Sequence, residues 1–209
     1  MIKLLYPKVC GICKRISKQY VCARCMYNLK KIEKTKIEQM ENKFFKEYAY
    51  VFEYNGIIRE RLIEYKFLEA GYLYKSFAEY IIKNKKISNF IKKYDIIIPV
   101  PVHNKRKKQR GYNQTELIAR KISQQLNISC KTKILVKIKN TKPQSTLNKE
   151  EREINAKAVY RLINKEILTN KKVLLMDDIY TTGSTVNECC HTLYEASPKT
   201  IGVITIAKD

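Results

Sequence analysis

The chain has 209 residues, 44% of them hydrophobic, which is enough to bury one full core and a small appendage. This length excludes two large domains. No apolar run is long enough for a membrane span, and residues 1–7 are too few for the apolar region of a signal peptide. We therefore expect a soluble cytoplasmic protein that does not insert into a membrane.

The formal net charge of +22 is spread unevenly along the chain. Between Asp95 and Glu150 the only acid is Glu116, against thirteen lysines and arginines. An AT-rich genome also produces lysine-rich proteins whatever their function, so compositional drift remains an alternative. The local concentration of positive charge favours a surface that binds anions.

Four cysteines near the N-terminus form the pattern C-x₂-C-x₈-C-x₂-C: Cys10, Cys13, Cys22 and Cys25. Two such pairs present four thiolates to one tetrahedral ion, so the pattern predicts a structural zinc site without a catalytic water. The alternatives are two disulfides, disfavoured in a reducing compartment, or a redox pair, which does not usually occur twice. Because few apolar side chains precede residue 40, the ion would supply much of the local folding free energy.

A charged connector over residues 30–46 marks the predicted domain boundary. It separates a zinc ribbon and connector, residues 1–44, from a larger domain, residues 45–209. The larger domain begins with a predicted strand over 48–54 and helices over 57–67 and 72–83. We interpret the aromatic stripe of the second helix as core, and no catalytic residue is apparent in this part of the chain.

A second buried strand, over residues 95–102, ends in two prolines and leads into the densest basic run, residues 103–114. A cationic loop between a strand and a helix, here predicted over 115–126, suits a pyrophosphate or a nucleic-acid backbone. A solvated loop is the alternative. We predict that Arg106 and Arg110 bind anions, because this loop leaves the same sheet edge as the acidic stretch described below.

Strands and helices continue to alternate towards the C-terminus. The sequence predicts a third strand at 134–138, a polar mobile loop at 139–148, a short helix from 148 to about 158, and a last strand at 200–207. This alternation implies an α/β fold with a parallel sheet and right-handed crossovers.

The most informative stretch is residues 173–185, VLLMDDIYTTGST. Its apolar start predicts a central parallel strand that stops at Asp177 and Asp178, where α/β sheets bind ligands. The hydroxyl-rich loop after them offers free N–H groups before a helix over 186–194, with Thr185 and Glu188 as a capping box. A phosphate would lie in the loop, while the carboxylates would accept hydrogen bonds from vicinal ribose hydroxyls or hold a hydrated Mg²⁺. The stretch therefore predicts a sugar-phosphate site.

Two other interpretations of this stretch are weaker. One is an ordinary surface turn with two solvated acids. The other is the strand-and-acid half of a nucleotide-hydrolysing ATPase, which needs a G-x-x-x-x-G-K-[ST] loop upstream. The six glycines, at 11, 56, 71, 111, 183 and 202, cannot supply that loop.

The stretch resembles the phosphoribosyl pyrophosphate (PRPP) signature of type I phosphoribosyltransferases at all thirteen positions. This resemblance implies that Asp177 and Asp178 contact the ribose hydroxyls. It also implies that the following loop wraps the 5-phosphate through Thr181, Thr182, Gly183, Ser184 and Thr185.

As a whole, the chain resembles the ComF family, competence-associated proteins with a zinc ribbon joined to a type I phosphoribosyltransferase-like domain. The resemblance covers nearly the whole chain and rests on the four cysteines, the PRPP stretch and these residues between them: Tyr65-Lys66-Phe67, Val100-Pro101-Val102, Arg106, Arg110-Gly-Tyr-Asn-Gln114, Thr141, Gln144, Leu147, Arg152 and Asn155. It places the segment from Arg106 to Asn113 at the pyrophosphate position, which adds Asn113 to the predicted anion site. It also assigns Thr141, Gln144 and Arg152 to the mobile loop.

The ComF resemblance implies binding of PRPP with Mg²⁺ and handling of single-stranded DNA during natural transformation, beside a DNA-translocating ATPase. Phosphoribosyl transfer is left open, because no acceptor site stands out. The alternative is a non-catalytic module that keeps this fold and binds DNA through the basic surface of residues 103–142. A third interpretation gives the DNA or partner contact to the zinc ribbon, through Lys14, Arg15, Lys18 and Arg24.

Overall fold

A computed structural model of the chain describes residues 7–41, 43–139 and 159–209. Its strands are β1 (Lys36–Gln39), β2 (Glu47–Glu53), β3 (Ile96–Pro99), β4 (Ser129–Cys130), β5 (Leu135–Lys137), β6 (Tyr160–Leu162), β7 (Lys172–Tyr180) and β8 (Thr200–Lys208). Its helices are α1 (Ala23–Ile32), α2 (Gly56–Phe67), α3 (Leu73–Lys83), α4 (Lys85–Ile91), α5 (Asn104–Arg110), α6 (Gln114–Leu126) and α7 (Ser184–Tyr194), with a 3₁₀ turn at Lys165–Leu168.

The main sheet has the strand order β1-β2-β8-β7-β3-β4, and its pairs are parallel except for β1 with β2. β7 is buried on both faces, as its uninterrupted apolar start predicts. Leu174 and Met176 belong to the core that includes α3 and α6, while Val173 and Leu175 belong to the core on the α7 side. The predicted α/β fold with a mostly parallel sheet is confirmed.

The strand order reverses between β3 and β7. From β3 the chain crosses to β4 on one side, and from β7 it crosses to β8 on the other. The connections therefore diverge at the carboxyl ends of these two strands and leave a crevice there. Open α/β sheets bind their ligands at such a switch point.

Two predictions about the PRPP stretch were wrong in detail. β7 does not stop at the acids: it continues to Tyr180, because Asp177 and Tyr180 still pair with Thr205 and Lys208 of β8. Helix α7 begins at Ser184 with Gly183 as its N-cap, so Thr185 lies inside the first turn and cannot start a capping box.

The basic run predicted as a loop forms helix α5 instead. Residues 104–110 contain no glycine or proline, and the ring nitrogen Nδ1 of His103 accepts a hydrogen bond from the N–H of Lys105 at 3.3 Å, as an N-cap does. Gly111 ends the helix with a left-handed φ of 79°, a conformation that glycine adopts at little cost. The cations thus stand on a short rigid element.

The predicted third strand exists as β5 but lies outside the main sheet, where it pairs antiparallel with β6. Strand β1 and the end of α1 lie in the region interpreted as a charged connector. The other predicted helices and strands are confirmed within a few residues of their ends, whereas α1, α4, β1, β4 and β6 were not predicted. The predicted mobile-loop residues Thr141, Gln144 and Arg152 and the short helix at 148–158 lie outside the described residues.

The N-terminal ribbon packs against helix α3. The Glu79 carboxylate accepts hydrogen bonds from the backbone N–H groups of Tyr20 and Val21, at 2.9 and 3.2 Å. The Ser76 hydroxyl donates to the carbonyl of Tyr20 at 2.8 Å. The domain boundary at residues 44 and 45 stays a prediction, although β1 on its N-terminal side is a strand of the main sheet. In the described part of the chain, no helix is both long and apolar enough to cross a membrane.

Candidate functional site

A cleft of about 450 Å³ opens at the carboxyl ends of β3 and β7, at the switch point of the sheet. One wall carries the acids Asp177 and Asp178 and the loop residues Thr181 and Thr185. The facing wall carries the cations of α2 and α5, Lys66, Arg106 and Arg110. The cleft therefore brings together acidic, hydroxyl and cationic groups from segments more than 100 residues apart in sequence.

The two carboxylates have different surroundings, because successive side chains of a strand point to opposite faces. Asp178 forms a 3.0 Å ion pair between its Oδ2 and the Nζ of Lys66. Asp177 instead accepts a hydrogen bond from the backbone N–H of Asp178 at 2.8 Å. Burial, and then the charge of Asp178, raise the pKa of Asp177 to about 7 against the opposing effect of Lys66. A cation or a hydrogen-bond donor that reached this pair would relieve the repulsion between the acids.

The loop after β7 has the form of an anion site at a helix N-terminus. Gly183 has a φ of 76°, and α7 starts at the next residue. The hydroxyls of Thr182 and Ser184 lie 2.8 Å apart and hydrogen-bond each other. The first N–H groups of α7 have no partner within the helix and can therefore donate to an anion in the loop.

The cations of the cleft are close together and partly buried. Burial lowers the pKa of Arg110, and the neighbouring charge of Arg106 lowers it further. Burial, and then the charge of Arg106, also lower the pKa of Lys137. Among the described residues, no carboxylate forms an ion pair with Arg106, Arg110 or Lys137. A bound anion would provide the missing countercharge.

Asn113, predicted as part of the anion site, is the N-cap of α6. Asn113 is buried, and its Oδ1 accepts from the N–H groups of Thr115 and Glu116 at 3.1 and 3.4 Å. Its Nδ2 donates to the carbonyl of Val100 at 3.1 Å, so the side chain caps α6 and fixes it to the end of β3. Its role in anion binding stays a prediction.

Four sulfur atoms form a second candidate site, in the ribbon. The Sγ atoms of Cys10, Cys13, Cys22 and Cys25 all lie within 4.8 Å of one another. In a tetrahedral site with zinc–sulfur bonds of about 2.3 Å, two sulfur atoms lie about 3.8 Å apart. The Sγ atoms of Cys13 and Cys22 are 3.8 Å apart. Burial raises the pKa of Cys10, but N–H groups of Cys13, Cys22 and Ile12 outweigh it and lower the pKa to about 7. The cluster could hold a tetrahedral zinc ion.

Comparison with known proteins agrees with this arrangement. The phosphoribosyl transferase domain family matches residues 114–209. The chain is 33% identical to Competence protein F of Haemophilus influenzae over 128 residues, which cover 61% of this chain and 56% of that protein. It is 25% identical to Competence protein ComFC of Bacillus subtilis over 199 residues, which cover 93% of this chain and 75% of that protein. The chain is thus similar to these competence proteins and carries a phosphoribosyl transferase domain match in its C-terminal part.

The chain spans little more than half of the Haemophilus relative, so the activity and partners of the whole protein are matters for proposal. Among solved structures, it resembles a hypoxanthine phosphoribosyl transferase of Trypanosoma cruzi, with 13% identity and a TM-score of 0.40. That match covers 68% of this chain and 66% of the other.

Sequence reasoning missed Lys66, Lys137 and Tyr160 as cleft residues. Lys66 lies in the last turn of α2, and nothing local indicates that its charge meets Asp178. The only available signal was the Tyr65-Lys66-Phe67 segment, which contributed to the family resemblance. Lys137 and Tyr160 belong to the small β5–β6 pair, and Lys137 Nζ lies 5.5 Å from the centroid of the Tyr160 ring.

Proposed function

We propose that this chain is a ComF-family protein that binds PRPP with Mg²⁺ in the cleft and acts in natural competence, in the uptake and handling of single-stranded DNA. The observation that carries the proposal is a pair of acids facing two arginines across a switch-point cleft, since these arginines form no ion pair with a carboxylate among the described residues. A cytoplasmic location suits this role, because PRPP is a cytoplasmic metabolite. A DNA-translocating competence ATPase is the proposed protein partner.

The proposed binding mode follows the charges of the cleft. The ribose hydroxyls of PRPP donate hydrogen bonds to Asp177 and Asp178. The 5-phosphate accepts hydrogen bonds from the loop of residues 181–185 and the N-terminus of α7. The pyrophosphate lies against Arg106 and Arg110, whose guanidinium groups can bind phosphate oxygens in pairs. Lys66, now paired with Asp178, is near enough to contact either the ribose or the pyrophosphate.

Mg²⁺ would supply charge neutralisation for the pyrophosphate, and Asp177 and Asp178 are the residues that would hold it, through its water shell. Phosphoribosyl transfer to an acceptor is the enzymatic form of this proposal. In that reaction the bond from ribose C1 to pyrophosphate oxygen breaks as an acceptor bonds to C1. Arg106 and Arg110 would stabilise the negative charge on the departing pyrophosphate.

For the four-cysteine cluster we propose a structural zinc ion. Four thiolates would fill its coordination positions, which leaves none for a substrate. Its proposed role is to fold the ribbon, which in turn packs on α3.

Calorimetric titration with PRPP in Mg²⁺ tests the first proposal. The double variant Asp177→Asn/Asp178→Asn should lose at least about a hundredfold in affinity, because it removes two charge-assisted hydrogen-bond acceptors worth about 1.5 kcal/mol or more each. Glu60→Gln/Glu166→Gln, which removes the same charge at two exposed sites, should bind normally. Undiminished PRPP binding by the first variant would refute the proposal.

A second candidate function is binding of single-stranded DNA by a chain that keeps the phosphoribosyltransferase fold but does not catalyse phosphoribosyl transfer. It is favoured by Arg106 and Arg110, which line the cleft, and by the exposed lysines of α5, Lys105 and Lys108. Single-stranded DNA should bind with an affinity that falls steeply with salt, and Arg106→Ala/Arg110→Ala should reduce that slope by about 1 to 2. Arg15→Ala/Arg24→Ala is the matched control on the ribbon. If only the control variant lost affinity for DNA, the DNA contact would lie on the ribbon.

A further inference from the structure

A second cavity, of about 430 Å³, lies at the opposite end of the main sheet from the cleft. It is formed where the chain enters β2 and β8, and the N–H of Lys46 donates to the carbonyl of Ile201 at 2.9 Å. Ile201 pairs with Val173, four residues before Asp177 on β7, so the strand geometry separates the two sites by about 13 Å. This cavity is therefore a separate site with its own chemistry.

Aromatic rings form one side of the cavity. Phe44 and Tyr194 line it, and 39% and 62% of their surfaces are exposed. The Phe44 ring is held in place by its neighbours: its centroid lies 4.6 Å from that of His191, edge to face, and 6.0 Å from that of Tyr194. Large apolar rings exposed beside a cavity offer flat surfaces on which a planar group can stack.

Lysines form the charged part of the lining. Lys43, Lys46 and Lys199 are all exposed, and none of their side chains pairs with another residue in the part of the chain that the structure describes. Two carboxylates at this end of the sheet are already engaged: Glu47 pairs with Lys93 at 3.3 Å, and Asp95 accepts from the N–H of Lys172 at 2.8 Å. Among the described residues, the lining of the cavity thus carries three lysines and no carboxylate.

We propose that this cavity binds one nucleotide unit, with its base against Phe44 and Tyr194 and its phosphate among Lys43, Lys46 and Lys199. Stacking rings next to free cations match a ligand that is planar at one end and anionic at the other. Two sources can present this unit, a free nucleotide and a single strand of nucleic acid. The inference does not depend on PRPP binding, because the two sites share no residue.

The test compares two double variants that make identical substitutions. Tyr194→Ala/Lys199→Ala alters the cavity. Tyr27→Ala/Lys31→Ala alters a surface pair on the ribbon, where Tyr27 is 61% exposed and Lys31 Nζ lies 4.5 Å from its ring centroid. Each protein is titrated calorimetrically with thymidine 5′-monophosphate and with a six-residue oligothymidylate. We expect the cavity variant to lose at least about tenfold in affinity, since the stacking of one base alone contributes about that factor. The ribbon variant should stay within about twofold of the unaltered protein.

The two probes distinguish the sources of the ligand. Loss of mononucleotide binding in the cavity variant identifies a free-nucleotide site, and loss of oligonucleotide binding alone identifies a contact with single strands. Equal affinities of the two variants for both probes would overturn the inference, as would failure of the wild-type protein to bind either probe. Competition of PRPP with a bound mononucleotide would also overturn it, because it would place the nucleotide in the cleft.

Discussion

Gly183 is the residue at which backbone conformation and packing constrain the PRPP loop most closely. Its φ is 76°, and a Cβ atom there would overlap the hydroxyl end of the Tyr180 ring. We predict that Gly183→Ala lowers the free energy of unfolding by more than the roughly 1–2 kcal/mol of a left-handed alanine, because Tyr180 must also move. The variant should also weaken PRPP binding, since the loop would shift. Urea denaturation and calorimetric titration measure the two effects.

Gly111 provides the matched control for this prediction. Its φ of 79° is nearly the same, but a Cβ there would meet nothing within 4 Å. Gly111→Ala should therefore show the backbone cost alone in urea denaturation. If the two alanine variants were equally destabilised, the overlap of the new Cβ with Tyr180 would add nothing to the cost of Gly183→Ala.

Individual site residues could be predicted where the local pattern is itself distinctive. Asp177 and Asp178 follow a buried apolar run and precede a glycine and hydroxyls, so sequence alone places them at a ligand-binding edge. Lys66 could not be found in this way, because its role depends on a 3.0 Å contact with an acid 112 residues away. Asn113 has a polar side chain that suits either an anion site or a helix cap, and only the fold shows its capping contacts.

At the scale of secondary structure, the ribbon is attached to helix α3 by few polar contacts. Glu79 accepts hydrogen bonds from two backbone N–H groups of the ribbon and also pairs with Lys83 at 2.7 Å. We predict that Glu79→Ala costs about 1–3 kcal/mol of stability, because it leaves both N–H groups without a partner. It should also speed the release of zinc to a chromogenic chelator.

Lys83→Ala separates the docking contact from the ion pair. It removes only the pair with Glu79, in which the Lys83 side chain is 47% exposed, so it should cost less than about 1 kcal/mol. Zinc release from this variant should match that of the unaltered protein. Equal destabilisation by both variants would show that the N–H groups of Tyr20 and Val21 do not need Glu79.

Long periodic elements were predictable, and short ones were not. The strand pattern at 48–54 and the helical patterns at 57–67 and 72–83 correspond to β2, α2 and α3. Strands β1 and β4 have four and two residues, and their existence depends on pairing with a neighbouring strand. The basic run between the second strand and the next helix predicts an anion-binding loop, whereas helix α5 forms there because its lysines, arginines and glutamine are good helix formers.

For the whole molecule, the ribbon and the larger domain share one hydrophobic core. Cys10, Val21, Cys25 and Leu29 of the ribbon pack in the same cluster as buried side chains of α2, α3 and α6. The basic side chains, by contrast, line separate sites. Arginines line the cleft at the carboxyl ends of the strands, and lysines line the second cavity at the other end of the sheet. The sequence shows a basic protein, but only the topology shows that distant cations line two separate cavities in the described part of the chain.

Because the core is shared, removal of zinc should affect the whole chain and not the ribbon alone. We predict that the zinc-loaded protein unfolds in a single calorimetric transition, and that a zinc chelator lowers its midpoint by several degrees, as expected for a loss of about 1–3 kcal/mol in a chain of this size. A Cys22→Ser variant should already melt at the lower temperature and should not respond to the chelator, whereas Cys130→Ser should respond like the unaltered protein, since Cys130 lies outside the cluster. An unchanged midpoint after chelation would show that the larger domain folds without support from the ribbon, as an independent unit beginning near residue 45.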